Sequence, residues 1–220
     1  MNPERPVSAQ TSDDFETNVF INCPFDAQYH SLLRPLLFTI LYLGFNPKIA
    51  LERSDSGELR INKICELIKS ARYSIHDLSR LQSREKNEFY RLNMPFELGI
   101  EYGCRRFSSG RLRGKRCLIL EKERYDYMKA LSDLSGVDIK SHKNDPPTMV
   151  REVRNWFVET VGLQKVSSST VIWYGFNDFM SDFYAKREAD GFSDDDLQMM
   201  PVPEFIHFIK EWLEPERKRV

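Results

Sequence analysis

Long apolar runs are missing from this chain. The longest, around Leu32 to Leu43, is broken by Arg34 and Pro35 and falls short of the ~20 residues a membrane-spanning helix needs. No membrane association is therefore expected. An excess of one charge is missing too, with 32 Lys+Arg against 33 Asp+Glu and a net charge of −1. That balance excludes the broad basic surface of a dedicated duplex-binding protein, so nucleic acid is not expected as a partner. Cysteine is sparse: Cys23, Cys65, Cys104 and Cys117 form no C-x-x-C pair and have no histidine at ligand spacing. No metal site is expected, and most of the four read as small core residues. Neither a P-loop nor a G-x-G-x-x-G fingerprint is present, which removes the usual support for phosphate-cradle or hydride-transfer chemistry. The opening MNPERPVSAQTSDD has neither the basic start nor the apolar middle of a secretory signal. Residues 1–16 are read as a disordered tail and the protein as cytoplasmic.

What the chain does have is core-forming material. Its 220 residues are 41% apolar and 12% aromatic, enough for one domain with an appendage that folds without disulfides or metal. From Thr17 the pattern alternates. TNVFIN reads as a strand entering the turn CPFD. Tyr29, Leu32, Leu33, Leu36, Leu37 and Ile40 then recur at helical spacing, with Asp26 as N-cap, Gly44 as the stop and Pro35 marking a kink or a late start. PKIAL (47–51) is a second strand, and Leu59, Ile61, Ile64, Leu67 and Ile68 predict the apolar face of a second helix. YSIHDL (73–78) is the third strand. After the charged loop SRLQSREKNEFYRL come a helix over NMPFELGIEYGCRRF, a strand over GKRCLILE (114–121), a candidate fifth strand in SGVDIKSH and a closing helix over TMVREVRNWFVETV.

Residues 17–162 are thus expected to form an α/β domain, a parallel sheet of four or five strands with helices on both faces. Ligands bind such sheets at the carboxyl ends of the strands. Residues 163–220 read as the linker LQKVSSST and a helical extension rich in aromatics, among them Phe176, Phe179, Phe183, Phe205, Phe208 and Trp212. Such faces cannot stay in water, so they pack on the core, cover the site, or meet a second copy or a partner protein. DGFSDDD between the helices reads as a solvated acidic turn.

Candidate chemistry lies just after the strands: Cys23-Pro24-Phe25, Arg53-Ser54-Asp55, Asp77-Leu78-Ser79, and the start of the helix that carries Glu97, opened by Asn93 and Pro95. Near a helix N-terminus the dipole favours an ionised Glu97. Gly99 and Gly103 predict a close approach to that helix, by a ligand or by a neighbouring element. A capping or Arg-paired Glu97 is the plainer alternative, as a turn role is for Asp77. Arg80, Arg84, Lys86 and Arg91 concentrate positive charge near the mouth, offset by Glu85 and Glu88, which suits a nucleotide phosphate or simply a solvated loop. His76 reads as a satisfied buried histidine. His30, His142 and His207 form no constellation, and Glu101 is expected to pair with Arg105 at i+4.

VFINCPF at the end of the first strand, SIHDLS at the end of the third and the helix opening NMPFELGIEYG together resemble the nucleoside 2-deoxyribosyltransferase and nucleotide N-glycosidase superfamily, close in fold to bacterial TIR-like domains. The likeness covers roughly residues 17 to 160. It implies a flavodoxin-like or TIR-like sheet, Glu97 as a carboxylate nucleophile, Asp77 as the second catalytic acid, and Cys23, Pro24 and Phe25 bordering the substrate, with Ser79, Arg80 and Asn93 as further substrate-binding candidates. The implied activity is cleavage or transfer of the N-glycosidic bond of a nucleoside, a nucleotide or NAD, with no cofactor and with NAD as a candidate substrate, in a setting such as bacterial defence. The alternative it implies is a nucleotide-sensing or self-associating module without turnover. The charged loop over 80–92 departs from the short loop of small residues usual in that family.

Overall fold

The computed structural model describes residues 14–81 and 92–217. Most of the expected tail (1–13) and the loop residues Arg84, Glu85, Lys86, Glu88 and Arg91 lie outside the described residues. Within the expected tail, Asp14–Glu16 forms a 3-10 turn that buries Phe15.

Five parallel strands form one sheet: β1 (Asn18–Asn22), β2 (Asn46–Ile49), β3 (Tyr73–Asp77), β4 (Arg116–Glu121) and β5 (Lys140–Ser141), in the order β2-β1-β3-β4-β5. This is the doubly wound, flavodoxin-like order, and the strand sequence reverses direction between β1 and β3. β1 and β3 are buried at all five positions, which explains runs without an apolar–polar alternation. Val19, Ile21, Tyr73, Ile75, Leu118 and Leu120 meet the layer that contains α1 (His30–Tyr42) and α4 (Pro146–Trp156). Phe20 and Ile119 point the other way, toward the layer of α2 (Arg60–Lys69) and α3 (Asn93–Phe107).

Several expectations need correction. β2 ends at Ile49, two residues before the end of the expected strand, and Ala50–Glu52 forms a 3-10 turn. Ile64, Leu67 and Ile68 are buried on α2, but Leu59, which precedes the helix, and Ile61 in its first turn are 67% and 40% exposed. No close neighbour explains the glycines of α3. Among the described residues a Cβ on Gly99 would meet nothing within 4 Å, and one on Gly103 only the Phe107 ring at 3.8 Å. The acidic turn is a short helix, α6 (Asp194–Gln198), capped reciprocally by Ser193 and Asp196.

The aromatic extension packs on the core. Phe38 of α1 stacks on Phe179 of α5 (Ser169–Ala189) at 5.7 Å, and Phe179 meets Phe205 of α7 (Val202–Arg217) at 5.7 Å. The Arg34 guanidinium lies 4.9 Å over the Phe205 ring and donates to the Leu197 carbonyl. One hydrophobic cluster runs from β1 through α1 to α7.

α3 is fastened from below by a buried ion pair. Lys115, ahead of β4, has a fully buried side chain that donates to the carbonyls of Ile68 and Ala71 and lies 3.4 Å from Glu101. Burial pushes the Glu101 carboxyl up and Lys115 opposes it. The partner of Glu101 is thus Lys115, not Arg105. Breaking such a pair strands a buried charge. Lys115→Met should therefore lower unfolding free energy by about 3–5 kcal/mol, measured by urea denaturation, and Lys115→Met/Glu101→Leu should recover much of the loss.

Candidate active site at the strand reversal

The carboxyl ends of β1 and β3 flank the point where strand order reverses, the place where open α/β sheets form a ligand crevice. Asp77 ends β3 there and is fully buried. Three separate elements supply its partners. The Tyr29 hydroxyl, from the turn Ala27–Tyr29 ahead of α1, donates to Oδ2. The Ser79 amide donates to Oδ1 at 2.8 Å, and His142 Nε2, just past β5, lies 3.1 Å from Oδ2. Burial pushes the Asp77 carboxyl up, but His142, Ser79 and the Tyr29 hydroxyl outweigh it and hold it below its ordinary value. The Asn144 amide donates to His142 Nδ1 at 2.9 Å, and His142 Nε2 lies close to Asp77 without a hydrogen-bonding geometry to it. Burial, and next the Asp77 charge, push the Tyr29 phenol well up, which keeps it protonated.

Asn22, at the end of β1, donates from Nδ2 to the Met94 carbonyl at 2.9 Å and lies 3.0 Å from His76 Nδ1. This side chain ties the first turn of α3 to the sheet. His76 is buried and pushed down to about 3, by desolvation first and then by Lys115, so it is neutral; its Nε2 has no partner among the described residues.

Glu97 follows one turn into α3 and is 7% exposed. Its nearest cation is Arg60, with Nη2 at 3.8 Å, and the same guanidinium lies 5.9 Å over the half-buried Phe25 ring. Burial raises the Glu97 carboxyl above its ordinary value and Arg60 only partly opposes it. Cys23 is buried, and its thiol is pushed well up by burial and then by the charges of Asp77, Glu97 and Asp26. Both carboxylates therefore act on one buried thiol, which brings 77 and 97 to the same end of the sheet.

The remaining candidates divide. Pro24 is buried behind Cys23, Ser79 acts through its backbone, and Asn93 is exposed at the start of α3. Arg80 pairs with Asp26 at 3.0 Å, and Asp26 also accepts the Tyr29 amide at 3.1 Å. At the end of β2, Arg53 is engaged by Glu58 and Glu66, while Asp55 accepts the Gly57 amide, so that segment adds nothing to the crevice. Tyr29, Arg60 and His142 were not anticipated. Among the described residues no group of three or more His, Cys, Asp or Glu is placed to hold a metal ion.

Because Asp77 is held below its ordinary value, its ionised form stabilises the fold fully above the usual aspartate range, and the contribution is lost as pH falls through the lowered folded value. Tyr29→Phe removes one donor and should cost about 1.5–3 kcal/mol at neutral pH. The acid-melting midpoint should also move to higher pH, as followed by circular dichroism between pH 2 and 7.

Comparison of the chain with protein families, with curated proteins and with solved structures finds no match.

Proposed function

We propose that this crevice binds a nucleoside or nucleotide and that Glu97 cleaves its N-glycosidic bond. The observation that carries the reading is the contrast between two carboxylates at one end of the sheet. Among the described residues Asp77 has three partners and is fully buried, whereas Glu97 has one cation at 3.8 Å and keeps a slightly exposed side chain. A carboxylate that is desolvated but not committed to hydrogen bonds is suited to attack or to stabilise positive charge. The Glu97 carboxylate would attack the anomeric carbon as the carbon–nitrogen bond breaks. The bond pair leaves with the base, which takes a proton from solvent. Water then attacks the same carbon, releases the carboxylate and returns a proton to solvent. Asp77, out of reach of the sugar, is a positioning residue that holds Tyr29 and His142.

Arg60, over the Phe25 ring, would stand between the first loop and Glu97 and help keep the carboxylate ionised. This is the first-loop border that the resemblance to nucleoside deoxyribosyltransferases and TIR-like N-glycosidases implies, and a bacterial-defence setting belongs to the same reading. A nucleotide sensor without turnover is the second reading, favoured by the burial of Asp77, which leaves only one acid for the sugar.

The deciding assay incubates the protein with NAD, nucleoside monophosphates and deoxynucleosides and follows free base by chromatography. Glu97→Gln should lower turnover by about 10³-fold or more while the melting temperature is kept. Equal base release by both proteins removes Glu97 from the chemistry, and a nucleotide-induced rise in melting temperature without base release supports the sensor. For the acid limb of kcat/KM the sign follows from the raised Glu97 carboxyl. Activity requires the ionised form, so the limb lies above the ordinary glutamate range, and Arg60→Met should move it further up in a pH–rate profile.

A further inference from the structure

Between Glu121 and Lys140 the chain crosses from β4 to β5 with two 3-10 turns, Asp126–Lys129 and Ser132–Leu134, and no α-helix. In a doubly wound sheet a crossover helix ordinarily covers this part of the face. Here the cover is incomplete: Cys117 of β4 is only half-buried, and a cavity of about 470 Å³ opens between α3 and the crossover. That volume lies in the range of small-molecule sites, ~300–1,000 Å³.

The walls and the rim of this cavity differ in chemistry. Leu98 of α3, Ile119 of β4, and Leu134 and Val137 of the crossover give it apolar walls. Burial, and secondarily Glu101, push the Cys117 thiol up to about 12, so it is a protonated, unreactive part of the wall. Three exposed arginines, Arg105, Arg106 and Arg113, line the opening, and none makes an ion pair with a described residue. Among the described residues Glu101 is the only carboxylate in the lining, and buried Lys115, 3.4 Å away, offsets it. The hollow is therefore apolar inside and cationic at its mouth. Arg105 lies eight residues after Glu97 on α3, roughly 12 Å along the helix axis, so this is a separate place from the crevice.

We infer that the cavity between α3 and the β4–β5 crossover binds an amphipathic anion, with a flat apolar body against Leu98, Ile119 and Val137 and a phosphate head on Arg105, Arg106 and Arg113. Guanidinium groups suit this head because they offer paired donors to phosphate oxygens and stay charged at any working pH. Apolar walls supply the rest of the affinity, which neither inorganic phosphate nor an uncharged ring would gain in full.

The test uses the full chain and 1-naphthyl phosphate as the probe, titrated by calorimetry, with 1-naphthol and inorganic phosphate as controls. Wild type should bind naphthyl phosphate saturably and about tenfold or more tightly than either control. Arg105→Ala/Arg106→Ala/Arg113→Ala should weaken it by about tenfold or more and flatten its salt dependence. Val137→Trp, at a surface position of the crossover, should fill the hollow and abolish binding with little change in melting temperature. Glu97→Gln should bind as wild type does. Absence of saturable binding, an unchanged affinity in the triple arginine variant, or loss of binding in Glu97→Gln would each overturn the assignment, the last by moving the probe to the crevice. None of these outcomes depends on base release, so the two sites succeed or fail separately.

Discussion

A carboxylate sealed at the end of β3 constrains everything around it. Asp77 is fully buried and ionisable, and a buried charge without donors would cost far more than a small domain can spare. Its partners come from places far apart in the chain: donors in the turn ahead of α1 and two residues beyond β3, and the close imidazole of the residue that follows β5. Each must arrive at one point in space. The short β5 is placed by two register pairs, Leu120 with Lys140 and Glu121 with Ser141, and that register is what delivers His142. A polar requirement at the strand reversal thus fixes the relation between the first and last strands of the domain, a task the apolar core does not perform because greasy contacts are not directional.

The two carboxylates at this end of the sheet sit in opposite environments. Close partners, Tyr29 and His142 among them, hold Asp77 down in proton affinity. Desolvation lifts Glu97, with only Arg60 against it. Environments that drive two acids in opposite directions are the usual means by which one site obtains two roles from one functional group. The same contrast governs the thiol between their fields. Cys23 is held protonated by burial and by both negative charges, so it behaves as a buried, unreactive thiol.

What could be read in the sequence followed from local physics, and what could not followed from register. The strands TNVFIN and YSIHD stand out because both of their faces are buried, and α3 because Asn93 and Pro95 open it. His142 was passed over because a two-residue strand leaves almost no pattern. The rule that singled out Asp77, a polar residue at the end of a parallel strand, would have selected His142 once β5 was in place. Arg60 was missed for a related reason: periodicity carried the apolar face of α2 back to Leu59 and Ile61, which are exposed, and so hid the helix start where Arg60 turns toward Glu97. The i+4 rule assigned Glu101 to Arg105, but burial favoured Lys115, a partner that spacing along one helix cannot reveal. The helix at Asp194–Gln198 was legible in Ser193 and Asp196, which have capping-box spacing, although the run of acids suggested solvent.

α3 connects these observations because it is held at two points on either side of Glu97. Asn22 grips the Met94 carbonyl three residues before it, and the Glu101–Lys115 pair anchors the helix four residues after it. Side chains three and four residues apart share a helix face, so Met94, Glu97 and Glu101 all look toward the sheet, and all three are buried. The opposite face carries Gly99 in open space and Phe96, 60% exposed. The glycines therefore loosen a helix that tertiary anchors already fix, at a local cost of about 1 kcal/mol each, and they do not mark a contact. Lys115 precedes β4 and reaches the carbonyls at and just past the end of α2, so the position of Glu97 depends on contacts at the opposite, amino-terminal end of the strands as well. A carboxylate held by anchors on both sides, with its own oxygens left nearly free, is positioned by the fold without being used up by it.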